Sequence, residues 1–343
     1  MDSILQTPLL ASGLLAAGLA LLLAGAKYFV DGIAALAEAL GVPPLIIGMT
    51  LVAFGTSTPE LVINSLSAYR GETALAFGNI VGSCTVNIGI VLAITAIVSP
   101  LKVEPSLITR EIPMVWVAVC ALLILGNDQR LAASATDAFS RADGLILLLL
   151  FAIFVYYTAI YSAAKRALTG TPEHGFIEQV EQEQREQQSE QPHRSLVRHG
   201  IFTILGLAGV SVGATWTVDG AVGLARVIGL SENLIGLTII SFGTTLPELA
   251  TCIVAARRGN AAIALGNVVG SNLFNILAIG GVVSFIRPVA IPSGGHADLL
   301  FMALLSVVLL PVAIRSGQTI TRGEGIFLLL AYLVFLGWRL SAH

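Results

Sequence analysis

Residues 31–88 recur at 219–276 without a gap, every residue displaced by 188, and 26 of the 58 aligned positions are identical. Phe54-Gly55-Thr56-Ser57-Thr58-Pro59-Glu60-Leu61 returns as Phe242-Gly243-Thr244-Thr245-Leu246-Pro247-Glu248-Leu249, and Gly78-Asn79-Ile80-Val81-Gly82-Ser83 as Gly266-Asn267-Val268-Val269-Gly270-Ser271. Both copies lie in apolar sequence. Of 343 residues, 55% are hydrophobic and 11% charged, and the mean hydropathy of +0.87 belongs to integral membrane proteins. A spanning helix needs about 20 largely apolar residues. The chain offers ten such stretches, near 8–40, 44–70, 73–98, 107–126, 143–165, 199–228, 232–257, 260–285, 297–315 and 323–340.

The reading is therefore an all-α integral membrane protein whose partners are inorganic cations and lipid. A net charge of −3, without basic runs, argues against nucleic acid, and no obligate protein partner or cofactor is evident. Cys84, Cys120 and Cys252 lie in apolar segments without metal-ligand spacing and read as packing residues. Met1-Asp2-Ser3 lacks the positive region of a secretory signal, so the first stretch is expected to stay as a helix.

One hydrophilic interval, rich in Glu and Gln, divides the chain. It predicts a first five-helix repeat over 1–166, a solvated linker over 167–198 and a second five-helix repeat over 199–343. If the linker is cytoplasmic, that side carries 11 Lys and Arg and the other side 6, which puts both termini outside. An offset that contains five spans, an odd number, makes the second copy cross the membrane in the opposite sense. The expected architecture is thus ten transmembrane helices in a 5+5 inverted-topology repeat, a recurring plan of secondary transporters.

The chemistry sits in the copies. Proline removes a backbone donor and glycine lets the chain leave helical geometry, so spans 2 and 7 should break around Gly55 and Gly243. Irregular backbone survives at membrane depth only where protein or a wet cavity surrounds it, and Thr and Ser oxygens at the break suit a hard cation. An ordinary proline kink is the bland alternative. Glu60 and Glu248 follow their prolines, at a cost on the order of 2.5–3.5 kcal/mol for an ionisable group at mid-membrane. One divalent cation, two monovalent cations or two protons would neutralise the pair, which supplies exchange by charge balance. The glycines and polar residues at 78–83 and 266–271 predict broken helices in spans 3 and 8 as well. Asn87 and Asn275 stand four residues after Ser83 and Ser271 and offer further neutral oxygens, with hydrogen bonding between helices as their alternative role. Asn79 and Asn267 read mainly as structural. Lys27 and Asp31, four apart, read as a local ion pair, with gating as the alternative.

These four linked motifs resemble the alpha repeats of the sodium/calcium exchanger family, close to its compact prokaryotic members with ten helices. The resemblance implies Glu60 and Glu248 as central calcium ligands, aided by the backbone carbonyls of Thr56 and Thr244. It implies sodium sites drawing on Ala53, Ser57, Ser83, Ser241, Thr245 and Ser271, with Asn87 and Asn275 at the family's remaining ligand positions. At Asn275 well-described members carry aspartate, and Cys84-Thr85-Val86 replaces the more usual Asn-Ile-Phe. The implied function is a non-enzymatic antiporter of the plasma (prokaryotic inner) membrane that exports Ca2+ in exchange for Na+ by alternating access. The alternatives are a proton-coupled exchanger and, more remotely, a cation channel or an intramembrane hydrolase. The first and sixth helices, rich in Gly and Ala, are expected to slide against the remaining eight.

Overall fold

The computed structural model describes residues 7–127, 137–169, 192–229 and 241–341. Long helices dominate: α1 Pro8–Leu40, the bent pair α2 Pro44–Thr56 and α3 Thr58–Arg70, α4 Thr73–Val98, α5 Leu107–Leu125, α6 Arg141–Thr169, α7 Pro192–Val227, α8 Leu246–Arg257, α9 Ala261–Ile286, α10 Gly295–Arg315 and α11 Arg322–Ser341. Among the described residues, eight helices are long and apolar enough to cross a bilayer, and the bent pair makes a ninth. The helices at the two edges of the central interval run further than the sequence suggests, to Thr169 and from Pro192. The rest of the expected linker, 170–191, lies outside the described residues, as do 230–240 of the seventh apolar stretch.

The core sits around α4 and α9. Their most apolar windows are 78% and 83% buried, against 28% for α1 and 17% for α11, so the two central helices are walled off by the rest. Glycines set how closely α2 crosses α9: a methyl group at Gly48 would lie 2.7 Å from the Ile263 carbonyl, and one at Gly266 would lie 2.5 Å from that of Leu45. The first copy's broken segment is thereby pressed against the second copy's central helix.

α1 and α7 form a pair of their own. Gly18, Gly25 and Gly32 face Thr217, Val210 and Thr203, while Gly206, Gly213 and Gly220 face Phe29, Leu22 and Leu15. Rising numbers meet falling ones, so the helices are antiparallel. The glycines recur every seven residues on one face of each helix, and Gly206, Gly213 and Gly220 stand 188 residues after Gly18, Gly25 and Gly32. Small residues at such a seam let helices approach and gain van der Waals contact where lipid offers no hydrophobic driving force. The approach is close enough that a methyl at Gly25 would sit 2.5 Å from the Val210 nitrogen.

Two short antiparallel ribbons tie the halves together. β1 Leu101–Lys102 pairs with β4 Thr319–Ile320, and β2 Ala138–Phe139 pairs with β3 Val289–Ala290, so each ribbon takes one strand from each half.

Two expectations are corrected here. Spans 3 and 8 do not break at their glycine motifs: α4 and α9 continue through 78–83 and 266–271 and widen into π-helix only at Asn87–Leu92 and Phe274–Ile279. Glycine permits a break, but no proline stands in these segments to force one. Asp31 does not pair with Lys27; it forms its ion pair with Arg258, just past the end of α8, while Lys27 lies over the Tyr28 ring at 6.0 Å. The 31–258 contact is made between helices, and sequence spacing gave no sign of it.

The helix seam makes a testable demand. Gly213→Ala gains about 1 kcal/mol of helix propensity but forces its methyl onto the Leu22 backbone, an overpacking cost of about 1–3 kcal/mol. Gly13, with nothing within 4 Å, bears the same change without a clash. Melting in detergent should fall for Gly213→Ala and hold or rise for Gly13→Ala.

Candidate functional site

The helix of the second span stops at Thr56 and restarts at Thr58, bent by 48°. Between them Ser57 adopts φ −92 and ψ 6, and Thr245 repeats that conformation at φ −95 and ψ 1 before α8. This is the sparsely used bridge region. Each proline falls in the first turn of the following helix, where a missing N–H costs nothing, and it offers no donor to the carbonyl four residues back, Gly55 or Gly243. Glu60 and Glu248 thus occupy the first turn of α3 and α8, at helix N-termini that favour negative charge.

Both carboxylates are 1% exposed, and they are close enough to feel each other's charge. The Ser57 hydroxyl donates to Glu248 Oε1 at 2.9 Å and lies 3.1 Å from Ser271 Oγ, so residues of α9 and both break regions converge. The Thr56 hydroxyl reaches Asn267 Oδ1 at 3.2 Å and the Val52 carbonyl at 3.2 Å. Asn87 Nδ2 donates to Asn272 Oδ1 at 3.0 Å, linking the π segment of α4 to α9. Several buried oxygens stay unpartnered: Glu60 Oε2, Glu248 Oε2, Asn87 Oδ1, Asn275 Oδ1 and Thr244 Oγ1. Unpaired buried oxygens are rare and costly, about 1–3 kcal/mol each. Oxygens alone suit a hard cation.

Not every predicted position points into this cluster equally. The Ala53 carbonyl is already engaged by the Ser57 N–H at 3.0 Å and by the Thr56 hydroxyl at 3.4 Å. The Thr245 hydroxyl is turned back to the Phe242 carbonyl at 2.9 Å. Ser83 is buried on α4. Ser241 opens the helical turn Ser241–Gly243, and its side chain lies outside the described residues.

A second set of polar contacts supports the first. Asn64 Nδ2 donates to the Glu60 carbonyl at 2.7 Å and to Asn79 Oδ1 at 2.9 Å. At the equivalent place in the second copy, Asn267 Nδ2 donates to Cys252 Sγ at 3.3 Å. Both pairs span 15 residues and brace a glutamate helix against the next one. Asn79 and Asn267 each take part in a hydrogen bond between helices, and Cys252 is an acceptor as well as a packing residue. Cys84 is buried and Cys120 is exposed on the outer surface. Asn64 and Asn272 escape a motif search because their aligned partners are Cys252 and Cys84. The repeat alignment was the available signal: each position faces a residue present in both copies.

A helical body with an oxygen-lined, doubly acidic interior at two helix breaks has the chemistry of a membrane transporter for hard cations. The comparisons make the class specific. The family model for sodium/calcium exchanger proteins matches residues 10–160 and 199–341. The inner membrane protein YrbG of Escherichia coli is 35% identical over 96% of this chain and 96% of its own. The sodium/calcium exchanger MaX1 of Methanosarcina acetivorans is 30% identical over 93% and 95%. The structure of the sodium-calcium exchanger NCX_Mj soaked without Na+ and Ca2+ superposes with a TM-score of 0.80 at 30% identity, covering 96% of this chain and 99% of that one. The chain is a multi-pass membrane protein of the sodium/calcium exchanger family, of the prokaryotic type.

The polar bracing can be weighed directly. Asn272→Leu strips the acceptor from Asn87 Nδ2 on a side chain that is 1% exposed, a loss of about 1–3 kcal/mol. Thermal unfolding of the purified protein should shift downward accordingly.

Proposed function

We propose that the protein exports Ca2+ in exchange for Na+ by alternating access around Glu60 and Glu248. The observation that carries this reading is the pair of buried carboxylates, each with an unpartnered oxygen, set at matching helix breaks of two sequence repeats. Their two negative charges balance one Ca2+ or two Na+. Thr56, Thr244, Asn87 and Asn275 complete the calcium site in this assignment, and Ser57, Thr245, Ser83, Ser271, Ala53 and Ser241 serve sodium.

The architecture proposed is ten spans, five in each of two inverted repeats at 1–166 and 199–343, joined by the 167–198 linker, with broken spans 2 and 7. Ribbon parity supports it. Strands β2 and β3 can pair only if an even number of crossings separates them. α6, α7 and α9 supply three, and α8 is the described part of the fourth. The antiparallel α1–α7 seam supports the inversion. The Lys and Arg bias supports an orientation with both termini outside the plasma membrane and the linker in the cytoplasm.

Asn275 supports proton coupling as the second reading, because an amide there leaves two acidic groups at the centre for loading cations. Everted vesicles loaded with Ca2+ decide between them: calcium movement driven by a sodium gradient is expected, and movement with a pH gradient alone would transfer the coupling to protons. Channel-sized currents would refute exchange altogether. Glu60→Gln and Glu248→Gln should each weaken calcium binding by about 3 kcal/mol, on the order of 100-fold, and stop calcium flux with the fold intact. Calcium titration with retained thermal melting checks this, and unaltered binding would remove the residue from the site.

A further inference from the structure

The two copies share the residues for one interhelical ion pair, yet that pair is made in only one of them. Asp31 on α1 and Arg258 after α8 are ion-paired. Their equivalents 188 residues away, Asp219 on α7 and Arg70 at the end of α3, are the same residue types but form no ion pair with each other. The packing beside the pairs is equally one-sided. Leu22 and Ala26 of α1 and Val210 and Ala214 of α7 cover α8, leaving Ala250 only 5% exposed. The matching positions on α3 are bare: Val62 is 60% exposed and Leu66 is 44% exposed. The site between them leans the same way, since Ser57 bonds to Glu248 while its counterpart Thr245 turns to its own backbone instead of Glu60.

The two ends lie on opposite faces. Asp219 stands 15 residues beyond the level of α7 that Asp31 faces in the antiparallel seam, about 22 Å along the helix. Arg258 neighbours Ser99, whose hydroxyl meets the Ala256 carbonyl before strand β1. Gly71, beside Arg70, neighbours the Arg287 guanidinium before β3, at the other ribbon.

The geometry points to a pair of alternating latches: Asp31–Arg258 closes one face of the membrane in this state, and Asp219–Arg70 closes the opposite face in the other, when the α1–α7 pair moves onto α3. This rests on the exchange reading above, and it names the residues that hold each closed state. The glycine seam suits it, because the α1–α7 register maps onto itself under the 188-residue shift, so the pair needs no internal rearrangement to change sides. The Asp31–Arg258 pair is semi-exposed, at 40% and 36%, and exposed pairs contribute at most about 1 kcal/mol. A latch of that strength biases two states without trapping either.

The test uses the full-length protein in vesicles with Cys120 replaced by Ala and two engineered pairs, Asp31→Cys with Arg258→Cys and Asp219→Cys with Arg70→Cys. A short reducible bifunctional thiol reagent replaces a direct disulfide, whose span is too small for an Asp–Arg pair. Both pairs should crosslink, in proportions that shift between Na+ and Ca2+, and never within the same molecule of the four-cysteine variant. Each crosslink should stop calcium flux until it is reduced. Failure of the 219–70 pair to crosslink in every ion condition, or joint crosslinking of both pairs in one molecule, overturns the latch. Charge exchange gives an independent check: Asp219→Arg should slow transport, and adding Arg70→Asp should restore it, whereas no restoration counts against the pairing. Absence of any sodium- or proton-driven calcium flux in the unmodified protein refutes the exchange reading instead, and the crosslinks, which require no flux, still decide the latch.

Discussion

Two carboxylates held out of water inside a helical body set the terms for the rest of the structure. Burying one uncompensated charge would strain the whole fold, and here two lie near each other at the breaks of two helices. The chain meets this cost partly with fixed features: helix N-termini, hydroxyls and amides that bond to the carboxylates or to their neighbours. The remainder, the oxygens that no protein group satisfies, is what a cation can neutralise. Structural tension and the proposed transport chemistry therefore have the same origin.

Around that site two different kinds of chemistry hold the helices together. α4, α9 and the break regions are tied by amides and hydroxyls whose bonds fix angle and distance. The α1–α7 pair is held by glycines and dispersion, which tolerate sliding because they have no preferred donor direction. The proposed alternating access calls for a moving element, and the glycine seam is the contact whose chemistry suits one.

The repeat made much of this legible. Aligning the two copies located both glutamates, both prolines and the asparagines at 87 and 275, because each is a polar or helix-breaking residue standing twice in apolar sequence. It could not separate a glycine that bends a helix from one that admits a neighbour. Gly266 reads as a break yet serves as a crossing point for α2, since helix packing, which sequence does not display, decides between those roles. The π segments at 87–92 and 274–279 were hidden for a similar reason: an extra residue per turn leaves the local composition unchanged.

The sequence by itself determined that the chain is a duplicated membrane protein with a doubly acidic interior, because hydropathy and repeat spacing depend only on the order of residues. Tertiary structure alone decided which equivalent groups meet. Asp31 and Asp219 are the same residue at matching positions, as are Arg70 and Arg258, and residue type alone does not say which pair forms. The Asp31–Arg258 contact forms and the Asp219–Arg70 contact does not, a difference set by how the helices pack, which the order of residues does not display.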